Sequence, residues 1–225
     1  TQYESSVTKN GNPADATQGI CVNEAAQEAG FSNIADLADP AMAELLDGDG
    51  DGRGEVFIGA TGWASTSVEK VKGQSYGYSE TVDLKEMDEG VAYSELDAAQ
   101  SAGEPWAGFC YTPHHLFIVH PDLTMLEEPP HDPDGWNVLQ PDQDPEWLEK
   151  SSAAMAWPAA TVQPVFADAL SEAHPEAARV MENIDLSEED LSGFTYALVI
   201  DQEDPEAFAR KWVDDNLERA TGWLE

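Results

Sequence analysis

Lysine and arginine are scarce in this 225-residue chain, which has 10 of them against 45 aspartates and glutamates and a net charge of −35. Nucleic acids and anionic membrane surfaces are polyanions, so this charge excludes both as expected partners. The acidic residues are spread along the whole chain rather than collected in a tail. That distribution indicates adaptation to high salt, where self-repulsion is screened. The sequence therefore predicts a halophilic protein.

Long apolar runs and cysteines are also lacking. No segment approaches the roughly 18 apolar residues that a membrane-spanning helix needs, and no stretch has the pattern of a signal peptide, which a mature chain would have lost. The two cysteines, Cys21 and Cys110, both lie in apolar, strand-like runs. They could pair in a disulfide or remain separate as small buried side chains, and the sequence favours the second interpretation.

The sequence lacks the common catalytic signatures. It has no Gly-x-Ser-x-Gly elbow, no phosphate-binding loop, no metalloprotease helix motif and no dinucleotide fingerprint. Cys110 could be a nucleophile with His114, but an apolar strand usually leaves a thiol inert. We therefore predict that the protein is not an enzyme.

The pattern along the chain alternates between short strands and helices, which favours an α/β fold. Between residues 121 and 150, six prolines indicate a long irregular segment. Strands are predicted at Gly19–Val22, Val56–Ile58 and Ala107–Tyr111, and the helices that follow them include Asn23–Ala29, Asp88–Ala102, Val165–His174 and Pro205–Leu217.

The segment Gly59–Ser67 is the most informative part of the sequence. It places a glycine turn and small hydroxyl residues between a strand and the start of a helix. Such a helix start presents unpaired N–H groups and the positive end of the helix dipole to an anion. Trp63 adds an aromatic face, so the turn suits a zwitterion with a carboxylate and a quaternary cation. The alternative is that Trp63 only packs the strand onto its helix.

A second candidate site is the segment Tyr111–His115, at the end of a predicted buried strand. Residues beyond the carboxyl ends of strands line the crevices of α/β proteins. Tyr111 offers an aromatic face, and His114 offers a hydrogen-bond donor to a carboxylate. Metal binding by His114, His115 and His120 is the alternative, although adjacent histidines on an extended chain point to opposite faces.

The loop Asp47–Glu55 resembles the beginning of an EF-hand calcium loop. Its carboxylates Asp47, Asp49 and Asp51 occupy positions one, three and five, with a glycine at six and Glu55 at nine. The twelfth position, where a bidentate acid belongs, is Ile58. The loop is therefore either a structural calcium site completed by a distant acid or a solvated acidic turn.

Together these residues resemble the substrate-binding proteins of ABC importers for glycine betaine, proline betaine and related osmolytes. The resemblance runs from about Gly19 to the C-terminus. It is carried by Leu45–Gly52, Gly62–Trp63, Tyr111–His114, the segment from Glu149–Ser151 to Ala156–Pro158, and Asn216–Leu217.

The resemblance implies a two-lobed, type II periplasmic-binding-protein fold that closes by hinge motion. On this basis residues 1–24 are the remainder of lobe I with a hinge strand, residues 25–160 are lobe II, and residues 161–225 return to lobe I with C-terminal helices. The first lobe is expected to be incomplete at its N-terminus.

The resemblance also implies the roles of individual residues. Trp63 is a wall of an aromatic cage around a quaternary ammonium group, and Ala64 and Ser65 supply backbone donors to a carboxylate. Tyr111 takes a position where the family often has tryptophan, and His114 matches the family's Pro-His pair. His115 departs from the family, in which many members carry an aromatic residue at this position.

The function implied is that of an extracytoplasmic solute-binding protein, free or lipid-anchored. It would capture glycine betaine or a similar quaternary ammonium or sulfonium osmolyte and deliver it to an ABC permease, as a monomer with no required cofactor. The alternative is a halophilic α/β module without a transport role, which calcium could stabilise.

Overall fold

The computed structural model describes residues 6–225, which form two compact units. Unit 1 comprises residues up to Thr17, Tyr111–Val119 and Ala159–Glu225. Unit 2 comprises Gln18–Cys110 and His120–Pro158. Residues 111–119, which were assigned to lobe II from the sequence, belong to unit 1. The division into lobes at residues 24–25 and 160–161 stays a prediction.

Eight strands and eleven α-helices are described in residues 6–225. The strands β1 to β8 are Val7–Lys9, Ala14–Val22, Gly54–Gly59, Val82–Glu86, Ala107–Thr112, Thr124–Met125, Ala160–Val162 and Val165–Ala167. The helices α1 to α11 are Glu24–Glu28, Pro40–Ala43, Ala64–Tyr76, Glu89–Ala102, Leu116–Val119, Trp147–Lys150, Ala169–Ala173, Pro175–Asn183, Glu188–Val199, Pro205–Asp215 and Leu217–Gly222. Short 3₁₀ helices add Ile34–Ala38, Glu44–Leu46 and Tyr78–Glu80. The mixture confirms the predicted α/β class.

Unit 2 is built on a sheet with the strand order β4-β3-β5-β2-β6. Strand β3 is parallel to both β4 and β5, and its apolar residues Val56, Phe57 and Ile58 are all buried. A strand that is buried on both faces has a continuous apolar run, which is why this segment was predicted correctly. The carboxyl end of β3 leads directly into the Gly59–Trp63 turn.

The two cysteines are disulfide-bonded, so the prediction that they remain separate was wrong. Strands β2 and β5 are neighbours in the sheet, which brings the Cα atoms of Cys21 and Cys110 to 5.7 Å from each other. Both side chains are fully buried. Sequence pattern identified the two strands but carried no information on their order, and the order decides the pairing.

Unit 1 contains an antiparallel pair, β1 with β8, and β7 pairs with the first residues of β2. Buried Asn10 joins β1 to the end of α8, because its side-chain amide donates to the carbonyl oxygens of Met181 and Ile184, each at 2.8 Å. The helix predicted at Val165–His174 begins only at Ala169. Its first residues form β8, because Val165 and Phe166 pair with β1.

An aromatic cluster in unit 1 joins α9, α10 and the C-terminal residues. Phe194 lies edge-on to both Phe208 and Trp212, and Trp212 stacks on Trp223 at 5.9 Å between ring centroids. The helix predicted at Pro205–Leu217 ends at Asp215, and Leu217 begins α11.

Candidate ligand-binding site

The Gly59–Trp63 turn has a backbone that glycine makes possible. Gly59 and Gly62 have φ angles of 117° and 89°, in the left-handed region that other residues rarely adopt. A Cβ atom at Gly59 would also clash with the hydroxyl of Thr66. That hydroxyl donates to the Ala60 carbonyl oxygen at 2.8 Å, so helix α3 and its preceding turn are locked together.

The start of α3 has the features of an anion site. Trp63 is the N-cap residue, and no side chain in the described chain caps this helix. The N–H groups of Ala64 and Ser65 are therefore not used by a capping side chain, and the 13-residue helix directs its dipole toward them. Trp63 is half-buried beside these donors.

Glu86 of strand β4 contacts both helix α3 and the turn. Lys70 forms a salt bridge with Glu86 at the end of β4. The pKa of Glu86 is held below its usual value by Lys70 and by the hydroxyl of Thr61, which lies in the turn. Because Glu86 stays ionised, the turn is fixed to the neighbouring parallel strand as well as to its own helix.

Tyr111 and His114, which belong to unit 1, lie in contact with each other. Their ring centroids are 4.6 Å apart, and His114 is buried. The structure thus brings together the predicted site residues within each unit: Trp63, Ala64 and Ser65 in unit 2, and Tyr111 with His114 in unit 1. The prediction that all five contact one ligand stays a prediction.

The protonation of His114 follows from its surroundings. Burial, together with the neighbouring His115, lowers the pKa of His114 to about 4, so the imidazole is neutral at physiological pH. The backbone N–H of Leu116 donates to Nδ1 at 3.2 Å, which leaves the single ring proton on Nε2. A neutral imidazole with an Nε2–H group is a hydrogen-bond donor suited to a carboxylate.

The histidine-metal interpretation receives no support from these positions. His120 lies in unit 2, where its Nε2 atom is 3.1 Å from an Asp97 carboxylate oxygen. His114 and His115 instead lie ring against ring in unit 1, with centroids 4.1 Å apart. Among residues 6–225, the described histidines therefore form no common metal-binding group.

In the acidic loop, Asp47, Asp49 and Glu55 come together with ligand atoms within 4.8 Å of one another, whereas Asp51 lies outside this group. The Asp47 carboxylate accepts from the N–H groups of Gly50 and Gly52, and these backbone contacts, that of Gly52 above all, lower its pKa. Burial raises the pKa of Glu55. Ile58, at the twelfth position, is fully buried in β3 and offers no ligand atom.

A family model described as the substrate-binding domain of ABC-type glycine betaine transport systems matches residues 1–215. The chain belongs to this family. The family consists of substrate-binding domains of transport systems, and the match includes all of unit 2 and all but the last ten residues of unit 1.

The similar curated proteins are remote in sequence. A glycine betaine/proline betaine-binding periplasmic protein of Salmonella typhimurium is 21% identical over 218 residues, covering 93% of this chain and 64% of the relative. The Escherichia coli protein of the same description is 22% identical, covering 99% of this chain and 66% of its own length. This chain therefore spans about two thirds of the length of the curated relatives it matches.

Solved structures share the fold. A choline-binding protein of an ABC transporter, in complex with choline, has a TM-score of 0.67 at 18% identity, and the match covers 99% of this chain and 68% of that one. Lactococcal OpuAC in its closed conformation with glycine betaine has a TM-score of 0.66 at 18% identity, covering 100% and 73%. These likenesses confirm the predicted two-lobed α/β binding-protein fold.

Sequence reasoning missed several residues that shape the site. Gln140, from the proline-rich segment, places its side-chain amide 3.5 Å from the carbonyl oxygen of Ala64. A buried ionic cluster on the inner side of α3 consists of Glu69 and Lys72 of this helix and the distant Glu128. The sequence gave little signal of this burial, because charged side chains three residues apart on a helix are normally exposed. The contacts with Gln140 and Glu128 depend on distant chain segments.

Proposed function

We propose that this chain captures glycine betaine, or an osmolyte with a similar quaternary ammonium or sulfonium group, and presents it to an ABC permease. The observation that carries the proposal is the start of α3, where helix N–H groups without a side-chain cap lie beside the half-buried ring of Trp63. One end of the ligand would be an anion and the other a soft cation. This half-site offers a partner for each.

The carboxylate of the ligand would accept from the backbone N–H groups of Ala64 and Ser65. The quaternary cation would lie against the Trp63 ring, an attraction worth roughly 0.5–2 kcal/mol per desolvated ring. Tyr111 and His114 would supply a second aromatic face and the Nε2–H donor. Such a site binds the cation without an acidic counter-charge. In agreement with this, none of the five proposed ligand-binding residues carries a carboxylate.

The cellular setting is part of the same proposal. The related proteins of Salmonella typhimurium and Escherichia coli are periplasmic, and in residues 6–225 no helix is long and apolar enough to cross a membrane. We infer an extracytoplasmic location, a monomeric state and no catalytic activity. The net charge of −35 supports a halophilic origin, in which uptake of a compatible solute would be useful.

Calcium binding by the acidic loop is a separate proposal. Its support is the convergence of Asp47, Asp49 and Glu55. Lys85 competes with a cation there, because its Nζ atom lies 3.9 Å from the carboxylate of Asp49 and 3.8 Å from that of Glu55. The site would therefore be weak and structural, with no part in ligand capture.

Calorimetric titration of glycine betaine in molar KCl tests the proposed function. We expect saturable binding, with an affinity reduced about two- to thirtyfold in Trp63→Ala, the range given by one cation–π contact. Trp147→Ala is the matched control, since Trp147 is also a half-buried tryptophan of unit 2 at a helix start. The opposite result is calcium binding by the wild type without any heat from millimolar glycine betaine or choline. It would favour the alternative interpretation, a calcium-stabilised α/β module without a transport role.

A further inference from the structure

One side of the buried face of helix α3 is polar and charged, next to the buried Val68 and Val71. Thr66, Glu69 and Lys72 follow one another at intervals of three residues, and Tyr76 continues the same face one turn later. Glu69 and Lys72 are fully buried, and Thr66 is 3% exposed. A helix of this length normally buries an apolar stripe, so this face requires a physical explanation.

Each charged group on this face has a specific partner from a distant part of unit 2. The Trp157 indole N–H donates to Glu69 Oε1 at 2.7 Å. Lys72 Nζ lies 2.7 Å from Glu128 Oε1 and 5.8 Å from the centre of the Trp157 ring. The Tyr76 hydroxyl donates to the other Glu128 oxygen at 2.9 Å.

Stability alone does not account for this arrangement. Removing two carboxylates and an ammonium group from water costs several kcal/mol per ion, and well-packed apolar residues are often as stable or more so. Apolar packing, however, tolerates small displacements of a helix along its axis. Hydrogen bonds lose strength steeply with distance and angle, so they fix the axial position and the rotation of the helix.

The start of α3 depends on this position. Trp63 precedes Glu69 by six residues, which corresponds to about 9 Å along a helix that rises 1.5 Å per residue. Over less than two turns a helix moves as a rigid body. A displacement of α3 at Glu69 is therefore transmitted to the N–H groups of Ala64 and Ser65 and to the ring of Trp63.

We propose that Glu69 and Trp157 are positioning residues for the half-site at the start of α3. Neither residue contacts the ligand in this account. Their hydrogen bond sets where the helix donors and the Trp63 ring stand. The inference deepens the proposed function and rests on it for its effect on affinity. Its geometric content, the position of the helix start, can be tested without a ligand.

Three variants test the hydrogen bond. Trp157→Phe removes the N–H donor and keeps an aromatic ring. Glu69→Leu removes the acceptor, together with its contacts to Tyr78 and Lys72. Glu69→Gln keeps an acceptor oxygen of nearly the same shape. Trp136→Phe is the control, because the Trp136 ring lies 5.7 Å from the Trp157 ring and its described contacts with His131 and Trp157 are ring contacts.

The first measurement is calorimetric titration of glycine betaine into each folded variant in molar KCl. We expect Trp157→Phe and Glu69→Leu to raise Kd about five- to tenfold, as for the loss of one hydrogen bond, with unchanged stoichiometry. Glu69→Gln should restore most of the affinity, and Trp136→Phe should bind like the wild type. A purely structural role would instead lower the stoichiometry and the unfolding midpoint and leave Kd unchanged, which would overturn the proposal.

The second measurement needs no ligand and separates this proposal from the proposed function. Backbone amide chemical shifts of Gly62–Ser65 should change in Trp157→Phe and stay unchanged in Trp136→Phe. If the wild type binds no glycine betaine while these shifts change as expected, the proposed function fails and the positioning role stands. If Trp157→Phe leaves these amides unchanged, the positioning role fails whatever the wild type binds.

Discussion

Ten of the twelve large hydrophobic side chains exposed in residues 6–225 belong to unit 1, although unit 2 contains more of the chain. In unit 2 the apolar residues of β3 are buried, a disulfide joins β2 to β5, and even the charged face of α3 is enclosed. In unit 1, helices α10 and α11 bury none of their described residues. The comparison indicates that buried contacts hold unit 2 together more firmly than unit 1.

Removal of one partner from the buried ionic cluster should have the largest effect. Lys72→Met leaves Glu69 and Glu128 buried without their ammonium partner, and we expect a loss of about 3–5 kcal/mol in the free energy of unfolding. Lys150→Met is the matched control. Its salt bridges with Asp144 and Glu146 lie at the surface and are screened by solvent and salt, so their loss should have a much smaller effect.

Denaturant titration in molar KCl, followed by near-ultraviolet circular dichroism, measures both variants. Equal effects of Lys72→Met and Lys150→Met would contradict this expectation, because the buried cluster of unit 2 would then contribute no more than a surface pair.

The disulfide should contribute the next largest effect. It closes a loop with a sequence separation of 89 residues, and disulfides of this kind typically stabilise by about 2–4 kcal/mol. The double variant Cys21→Ala, Cys110→Ala should lose this amount in the same denaturation experiment. Reductant should lower the stability of the wild type and leave the variant unaffected; an equal response of both proteins to reductant would show that the bond is not the cause.

Acidification should act on unit 1 through His114. Its folded pKa of about 4 lies below the usual 6.5, so between these values the unfolded chain binds a proton that the folded protein does not. Stability should therefore fall as the pH drops from 6.5 to 4, by about 1–3 kcal/mol, and this contribution should then level off. His115, whose pKa burial also lowers, adds in the same direction.

His114→Gln should reduce this slope in a series of denaturation curves between pH 7 and pH 4. If the stability of the variant fell with pH as steeply as that of the wild type, His114 would already be protonated in the folded protein. It would then not be a neutral hydrogen-bond donor.

Calcium should have the smallest effect. If the loop binds calcium with a Kd near 1 mM, as weak extracellular sites do, 10 mM calcium should raise the unfolding midpoint by about 3–6 °C. Asp47→Asn should abolish the rise. Asp51→Asn, in the same loop but outside the cluster, should retain most of it, and equal losses in both variants would indicate general charge screening instead.

Local pattern predicted much of unit 2. The apolar run at Val56–Ile58, the glycine turn and the start of α3 are encoded by neighbouring residues, so the strand, the turn and the half-site could be inferred together. In unit 1, the pairing of Val165 and Phe166 with β1 depends on residues more than 150 positions away. Local propensity favoured a helix there, and a tertiary contact decided otherwise.

The parts of the site that sequence reasoning missed are also contacts between distant segments. The bond from Trp157 to Glu69 spans 88 positions, and the salt bridge from Glu128 to Lys72 spans 56. No spacing rule connects such residues. The disulfide escaped prediction for the same reason, since strand order is a property of the assembled sheet.

A crystal structure of the protein grown with glycine betaine in high salt would show directly where the ligand binds. We expect the trimethylammonium group against the Trp63 ring and the carboxylate within hydrogen-bond distance of the Ala64 and Ser65 N–H groups, about 2.7–3.2 Å. A ligand bound elsewhere, with the start of α3 capped by water alone, would contradict it.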